Sequence, residues 1–314
     1  MAATVGELGE LGLIEAITAR LTTSPAVLLG PGDDAAVIEA SDARVVASTD
    51  LLVDGRHFRR AWSEPADVGH RAAAANLADI AAMGAVPTAL LVGLALPADL
   101  PTDWVTALAD GLHDEAVSAG AAVVGGDVVR SETLLIAVTA LGSLEGRAAV
   151  TRAGARPGDL VAVAGRLGWA AAGLAVLSRG FRSPRILVDA HRRPAPPYDE
   201  GPRAAALGAT SMTDVSDGLV GDLGHLAAAS GVSIEISSDA FHVPQEFQDT
   251  ARALNADPRD WLLAGGDDHA LVATFPPDVD LPMAWSVVGR VVEGAGVLVD
   301  GQPYDGPGGW QSFP

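Results

Sequence analysis

Residues 44–58 read RVVASTDLLVDGRHF, and the fold class is first indicated here. Its first part, residues 44–49, is apolar and β-branched enough to predict a buried strand that delivers Asp50 at its end. An Ala-rich segment at residues 67–83 follows and is closed by Gly84, which is typical of a helix with a glycine stop signal. A strand followed by a helix of this kind favours an α/β fold.

The same alternation of strand and helix continues along the chain. Apolar segments predict further strands at 90–96, 121–124, 134–144, 160–164, 232–237 and 270–275. Helical patterns lie at 104–119, 169–179, 217–230 and about 244–254. Ser216 or Asp217 is placed to act as the N-cap of the helix at 217–230.

Two polar stretches interrupt this pattern. Residues 151–159, TRAGARPGD, are rich in Gly and Pro and predict a domain linker. We therefore expect two α/β domains, at residues 1–150 and 151–314. Residues 183–203 are rich in Pro and Arg and predict an exposed connection.

The charged residues exclude several functions. The chain of 314 residues has a formal net charge of −20, which disfavours nucleic acid or an anionic membrane as a partner. Every basic residue apart from histidine is an arginine. A P-loop, a protein kinase and a pyridoxal-phosphate enzyme each need a lysine, so all three are excluded.

Cysteine and long apolar segments are also missing from the sequence. Without cysteine there is no disulfide framework, no thiolate nucleophile and no Cys-ligated zinc. No apolar run approaches the roughly 20 residues of a membrane span, and the first residues do not resemble a secretory signal. We expect a cytoplasmic protein with no membrane partner.

Acidic residues recur in glycine-rich turns and beside apolar segments. Carboxylate and hydroxyl oxygens are the ligands that Mg²⁺ accepts, and glycine-rich turns let backbone amides approach phosphate. Each motif alone is more simply explained as a turn, a helix cap or a solvated surface. Together, in a chain without lysine, they predict a phosphate site with several metal ions. The motifs are Gly30–Asp34, Ser48–Asp50, Asn76 with Asp79, Gly125–Asp127, Thr213–Gly218 and Gly265–Asp268.

The motifs taken together resemble those of the thiamine-monophosphate kinases, within the aminoimidazole ribonucleotide synthetase-like superfamily. The resemblance extends from about Gly30 to Trp310. The motifs that carry it are GPGDDAAV, STDLLVDGRHF, NLADIAAMGA, GGD, TRAGARPGD, TDVSDGL and GGDDHAL, in the family's order. Selenophosphate synthetases of the same superfamily generally carry a Cys or selenocysteine that this chain lacks.

The resemblance implies a set of site residues. Metal ligands would be Asp33 or its neighbour Asp34, with Ser48, Thr49, Asp50, Asp79, Asp127, Asp214 and Asp217. ATP contacts would be Gly126, Asp127, Arg152 and Ser216, and substrate contacts would be His57, Asp267 and Trp310. The family usually has Glu at the place of Asp267, Tyr-Glu at the place of His269-Ala270 and often Tyr at the place of Trp310.

The resemblance also implies an activity. It is the ATP- and Mg²⁺-dependent phosphorylation of thiamine monophosphate to thiamine diphosphate by direct in-line transfer. No general base is expected, because a phosphate nucleophile is already largely ionised near neutral pH. The alternative is an ATP-dependent synthetase of the same superfamily acting on another small molecule. The family's fold has two α/β domains, ATP in a cleft, and N-terminal sheets that pair in a homodimer. The N-terminal domain would bind ATP and metal and form the dimer.

Overall fold

The computed structural model describes residues 4–31, 35–306 and 309. The chain divides into two compact units, each an α/β structure with its own sheet and helices. The first unit consists of Met1–Ile80 and Ala85–Gly146, and the second consists of Ala81–Gly84 and Arg147–Pro314. Among the described helices, none combines the length and the apolar character that a membrane span requires.

The first unit contains a four-stranded sheet, a two-stranded sheet and three helices in its described part. The helices are α1 (Val5–Thr18), α2 (Pro65–Ala82) and α3 (Thr102–Ser118). The strands are β1 (Val27–Leu29), β2 (Val37–Ile38), β3 (Val46–Val53), β4 (Val86–Leu96), β5 (Ala122–Arg130) and β6 (Leu135–Ser143). The four-stranded sheet has the order β3-β6-β4-β5, so β3 and β5 are its two edges.

Strand β3 differs from the prediction in its length and exposure. It continues past Asp50 to Val53, because Leu51–Val53 remain apolar and pair with β6 in unbroken register. Asp50 therefore lies within an edge strand and not at the end of a buried one. Strand β5 likewise runs through Gly125–Asp127, which were expected to follow it.

The two faces of the four-stranded sheet have different surroundings. One face lies against α2, since Gly142 of β6 leaves room for Ile80 of that helix. The other face of the sheet points away from α2, and none of the described residues in its middle is fully buried. It comprises Thr49, Leu51, Val53, Leu91, Gly93, Ala95, Gly125, Asp127, Val129, Leu135, Ala137 and Thr139. We call this set the open face.

Helices α2 and α3 cross at two glycines. A Cβ added to Gly69 of α2 would overlap the carbonyl oxygen of Leu108 in α3. A Cβ added to Gly111 of α3 would overlap the carbonyl oxygen of Ala66 in α2. The backbones of the two helices are therefore in direct contact, which only glycine permits at these positions.

The second unit contains one mixed sheet with helices around it. Its strands are β7 (Leu160–Ala164), β8 (Ser211–Val215), β9 (Ser233–Ile236), β10 (Ala270–Phe275), β11 (Trp285–Val292), β12 (Gly296–Val299) and β13 (Gln302–Pro303). Its helices are α4 (Trp169–Ser178), α5 (Arg185–Arg192), α6 (Glu200–Ala206), α7 (Leu219–Ser230), α8 (Gln245–Leu254) and α9 (Pro258–Ala264), and Ser238–Ala240 form a 3₁₀ turn. The strand order is β13-β12-β9-β11-β7-β10-β8.

The predicted connection at residues 183–203 is wrong in part. Helices α5 and α6 lie in or beside it, and α5 buries Leu187, Val188 and His191. The Pro and Arg content hid a short amphipathic pattern, because Pro184 only precedes α5 and Pro202 lies in the first turn of α6, where proline is tolerated. These helices enlarge the apolar core of the second unit.

We expect Gly111→Ala to destabilise the first unit, because the new methyl group must push the two helix backbones apart. The free energy of unfolding should fall by about 1–3 kcal/mol in urea titrations. Gly224→Ala is a matched control, since nothing lies within 4 Å of a Cβ at that helical position. The control should be neutral or more stable by about 0.5–1 kcal/mol. Equal effects of the two substitutions would contradict the proposed tight crossing.

Candidate functional site

Three of the predicted residues meet where β3 lies beside α2. Ser48 Oγ donates to Asp79 Oδ2 at 2.6 Å, and the backbone N–H of Asp50 donates to Asn76 Oδ1 at 3.0 Å. Asn76 is fully buried, and it donates in turn to the carbonyl of Ala72 within α2. The outward N–H of an edge strand is thereby satisfied, and the carboxylates of Asp50 and Asp79 are held on neighbouring elements.

Thr49 and Asp127 lie away from this group. Thr49 is on the open face, where it accepts a hydrogen bond from Thr139 Oγ1 at 3.1 Å. Asp127 is also on the open face, but on β5 at the opposite edge of the sheet. Two strands separate β3 from β5, so Asp50 and Asp127 are about 14 Å apart and point to opposite faces. One chain does not bring these two carboxylates onto one ion.

His57 follows β3 in a tight turn. Its Nδ1 accepts from the backbone N–H of Val53 at 3.0 Å, and its side chain is half-buried. Gly55, with φ of 82°, allows the turn, and its N–H donates to the Phe58 carbonyl at 2.7 Å. The ring is therefore fixed directly beyond the strand that carries Asp50.

The predicted residues Asp33, Asp34 and Trp310 lie outside the described residues. Gly309, which precedes Trp310, is described, and a Cβ added to it would contact the carbonyl oxygen of Asp217. Gly309 thus lies beside the acidic turn of the second unit.

The acidic motifs of the second unit form one connected structure. Asp214 lies at the end of β8, and Ser216 and Asp217 follow in the turn before α7. The N–H of Asp267 donates to the carbonyl of Ser216 at 2.9 Å, and the N–H of His269 donates to that of Val215 at 3.1 Å. The loop before β10 and the turn after β8 are therefore joined through their backbones.

The carboxylates of this structure act on one another. Burial, and then the negative charge of Asp214, raises the pKa of Asp217, and the charge of Asp267 acts in the same direction. The positive charges of His225 and Arg152 oppose the increase. A raised pKa from neighbouring carboxylates means that a cation placed among them would be stabilised.

Asp222 is a residue of this region that the sequence prediction missed. Its Oδ2 accepts from the N–H groups of Asp217 and Gly218, both at 3.1 Å, and the side chain is buried. Burial, followed by the charges of Asp214 and Asp217, raises the pKa of Asp222 to about 7. The prediction that Ser216 or Asp217 caps α7 is wrong. The helix begins after Gly218, and Asp222 in its first turn accepts the hydrogen bonds of the N–H groups that precede the helix.

Asp268 has a similar structural role at α4. Its Oδ1 accepts from the N–H of Ala170 at 3.0 Å, where the N-cap residue Gly168 offers no side chain. Burial raises the pKa of Asp268 to about 7, although the Ala170 bond and the charge of Arg166 act in the opposite direction. An acidic residue next to glycines gave no sign of capping a helix so distant in sequence.

Arg152 lies in the predicted linker beside β8. Its Nε donates to Thr213 Oγ1 at 3.3 Å, next to Asp214. The linker is held against β8 because the N–H of Met212 donates to the Thr151 carbonyl at 3.0 Å. Ser230 Oγ adds a bond to the Arg152 carbonyl at 3.0 Å. The exposed guanidinium is thus kept near the acidic turn.

The donor atoms of both groups suit magnesium, although no complete ligand set is preformed. Within residues 4–31, 35–306 and 309, no three His, Asp or Glu side chains are grouped closely enough to hold a metal ion. Magnesium is usually bound by one or two carboxylates together with substrate phosphates and water. The paired, oxygen-only groups at Asp50 with Asp79 and at Asp214 with Asp217 fit that kind of site.

Each of the two units matches a known family model. The family model described as AIR synthase related protein, N-terminal domain, matches residues 32–144. The model described as AIR synthase related protein, C-terminal domain, matches residues 156–300.

Individual relatives share nearly the full length of the chain. The thiamine-monophosphate kinase of Mycobacterium tuberculosis is 48% identical over 99% of this chain and 93% of its own. That of Corynebacterium glutamicum is 39% identical over 99% of this chain and 95% of its own. The solved structure "AaThiL complexed with AMPPCP and TMP" has a TM-score of 0.82 at 36% identity and covers 100% of both chains.

We expect Asp268→Asn to change how stability depends on pH. The pKa of Asp268 in the folded chain, about 7, lies above its ordinary value, so ionisation removes stability as the pH rises towards and through 7. Asn keeps the acceptor for Ala170 and cannot ionise. Relative to the parent, the variant should gain about 2 kcal/mol of unfolding free energy between about pH 5.5 and pH 8. Urea unfolding without magnesium measures this.

Asp300→Asn is the control for this prediction. Hydrogen bonds from Ser238 lower the pKa of Asp300, so this carboxyl is ionised in both folded and unfolded chains over the same pH range. Its substitution should change stability by an amount that does not vary with pH there. A pH-independent effect of Asp268→Asn as well would show that Asp268 does not titrate near neutrality.

Proposed function

Because this chain belongs to the thiamine-monophosphate kinase family and uses ATP to phosphorylate thiamine monophosphate, we propose that it does so by direct in-line transfer assisted by Mg²⁺. The observation that carries this proposal is the backbone-joined acidic structure at Asp214, Asp217 and Asp267. It concentrates negative charge beside an arginine in a chain that has no lysine. Cations are needed at such a site because its carboxylates would otherwise repel the phosphates of a nucleoside triphosphate.

The aspartates and Arg152 supply binding and orientation. Magnesium would be held by Asp50 and Asp79 with Ser48 in the first unit, and by Asp214 and Asp217 in the second, as well as by Asp33 or Asp34, Thr49 and Asp127. When bound, Mg²⁺ neutralises phosphate charge and aligns the reacting phosphates. Gly126, Asp127, Arg152 and Ser216 are the proposed ATP contacts. Arg152, held by Thr213, adds a permanent positive charge.

No side chain needs to remove a proton from the nucleophile. A phosphate monoester has a second pKa of about 6, so it is mostly dianionic at neutral pH. Catalysis by this chain would then consist of positioning and charge neutralisation, as is general for phosphoryl transfer. The raised pKa of Asp217 does not conflict with this role, since a bound cation favours the ionised carboxylate.

Substrate binding is proposed for His57, Asp267 and Trp310. His57 is fixed by Val53, and Asp267 is held by its N–H bond to Ser216 with a φ of 67°. A left-handed conformation at a non-glycine residue is uncommon and is concentrated at functional sites. The carboxylate of Asp267 is therefore placed by the backbone and not by its own rotamer alone.

We also propose that the protein is a homodimer whose first units meet through their open faces. This face carries exposed Leu51, Leu91 and Val129, with relative exposures of 56%, 38% and 50%. Burying such a contiguous apolar surface on an identical copy is the usual reason for symmetric pairing. Thr49 and Asp127 also lie on this face, so two of the proposed metal ligands would lie in the dimer interface. The cytoplasmic location expected from the sequence stays a prediction.

The activity is tested by following ADP and thiamine diphosphate with Mg-ATP, with and without thiamine monophosphate. We expect equal amounts of both products, and we expect Asp50→Asn to lower kcat by about 10²–10³-fold because it removes a charged ligand of the cation. Arg60→Gln is the control, since it removes only an exposed ion pair with Asp54. ATP turnover without thiamine diphosphate would favour the synthetase alternative. Normal kinetics of Asp50→Asn would refute the metal assignment.

The proposed pairing is tested by placing a charge on the open face. Leu91→Asp should shift the protein from dimer to monomer in sedimentation equilibrium, because pairing would bury an unpaired carboxylate. Val287→Asp is the control, since Val287 is a comparably exposed apolar residue of the second unit. An unchanged mass for Leu91→Asp would contradict pairing through the open faces.

A further inference from the structure

His269 makes a buried contact with one of the proposed metal ligands. Its Nδ1 lies 3.0 Å from Asp214 Oδ2, and the side chains are only 8% and 5% exposed. Strand β10 pairs with β8 next to this contact, with Leu271 opposite Asp214 and Ala270 opposite Val215. His269 immediately precedes β10 and thus approaches the carboxylate from the start of the adjacent strand.

The backbone fixes His269 for this contact. Its φ is 53°, a left-handed value that is uncommon for residues other than glycine, and its N–H donates to the Val215 carbonyl at 3.1 Å. A Cβ at the nearby Gly266 would overlap the Ser216 carbonyl, so the loop cannot move inward. The ring is therefore placed by two joined loops and not by a free side chain.

An ionised carboxylate can only accept hydrogen bonds, so the neutral or charged imidazole must donate from Nδ1. This contact occupies Oδ2 and limits rotation of the Asp214 carboxylate about its χ2 angle. A ligand fixed in this way meets a cation without first losing rotational freedom. Partners of this kind commonly change metal affinity by about 10–100-fold when removed.

We propose that His269 is a positioning residue that orients Asp214 for the cation. The proposal rests on the proposed function, since it needs Asp214 to be a metal ligand. His269 departs from the family pattern, and the resemblance assigns it no role. The structure supplies the role through the contact with Asp214.

The test compares variants that remove or retain the donor. His269→Leu and His269→Gly both remove it, and glycine tolerates the φ of 53° if the leucine variant does not fold. His269→Asn retains a donor nitrogen near the position of Nδ1 and also accepts left-handed φ values. Binding of Mn²⁺ in the presence of AMPPCP is measured by electron paramagnetic resonance, without turnover.

A second buried bond of the same unit is the matched control. Trp285 Nε1 donates to Glu200 Oε2 at 2.9 Å, also in buried surroundings. Trp285→Phe should lower stability in urea without changing Mn²⁺ affinity. A merely structural His269 would behave in the same way.

We expect the two removal variants to bind Mn²⁺ at least about 10-fold more weakly, and His269→Asn to stay within about 3-fold of the parent. Parental affinity of a folded removal variant, while Asp214→Asn binds weakly, would overturn the role of His269 and leave the proposed function intact. Parental affinity of Asp214→Asn would remove the metal assignment, and the inference with it.

Discussion

The backbone contact between two acidic loops is the interaction on which the site of the second unit depends. Strands β8 and β10 pair along their length, and the pairing continues past the strand ends through the N–H groups of Asp267 and His269. Like charges brought together repel, and this repulsion adds to burial in raising the pKa of Asp217. The backbone bonds and the buried carboxylate of Asp222 hold this arrangement in place. The same repulsion is what makes the site favourable for a cation.

Much of the architecture follows from the sequence because it depends on local patterns. Helices at about 67–83 and 104–119 and a strand at 270–275 were predicted within a few residues, since apolar periodicity and glycine stops are local signals. The acidic motifs were located for the same reason, and the family comparisons confirm the two AIR synthase-related domains and the kinase family. The roles of the individual site residues stay predictions.

The remainder depends on contacts between residues far apart in sequence. Asp268 supplies the cap of a helix that begins about a hundred residues earlier, and His269 contacts a carboxylate 55 positions away. Neither contact produces a periodic pattern of residues in the sequence, so neither could be predicted from it. The end of β3 was misplaced because the strand continues through Leu51–Val53, where cross-strand pairing outweighs the local break at Asp50. Asp50 and Asp127 lie at opposite edges of the sheet, and this follows only from the order of its strands.

The glycine crossing of α2 and α3 bears on how sequence variation in this protein should be interpreted. Helix α2 carries Asn76 and Asp79, and its backbone rests directly on α3 at Gly69 and Gly111. Gly69 and Gly111 therefore determine how closely α2 packs on α3, and with it the position of the proposed ligand Asp79. A natural variant at either glycine would register as a loss of enzyme function in a genetic screen, although neither position touches a reactant. Inactivating substitutions mapped onto the chain would therefore mark the residues that position the ligands as well as the ligands themselves.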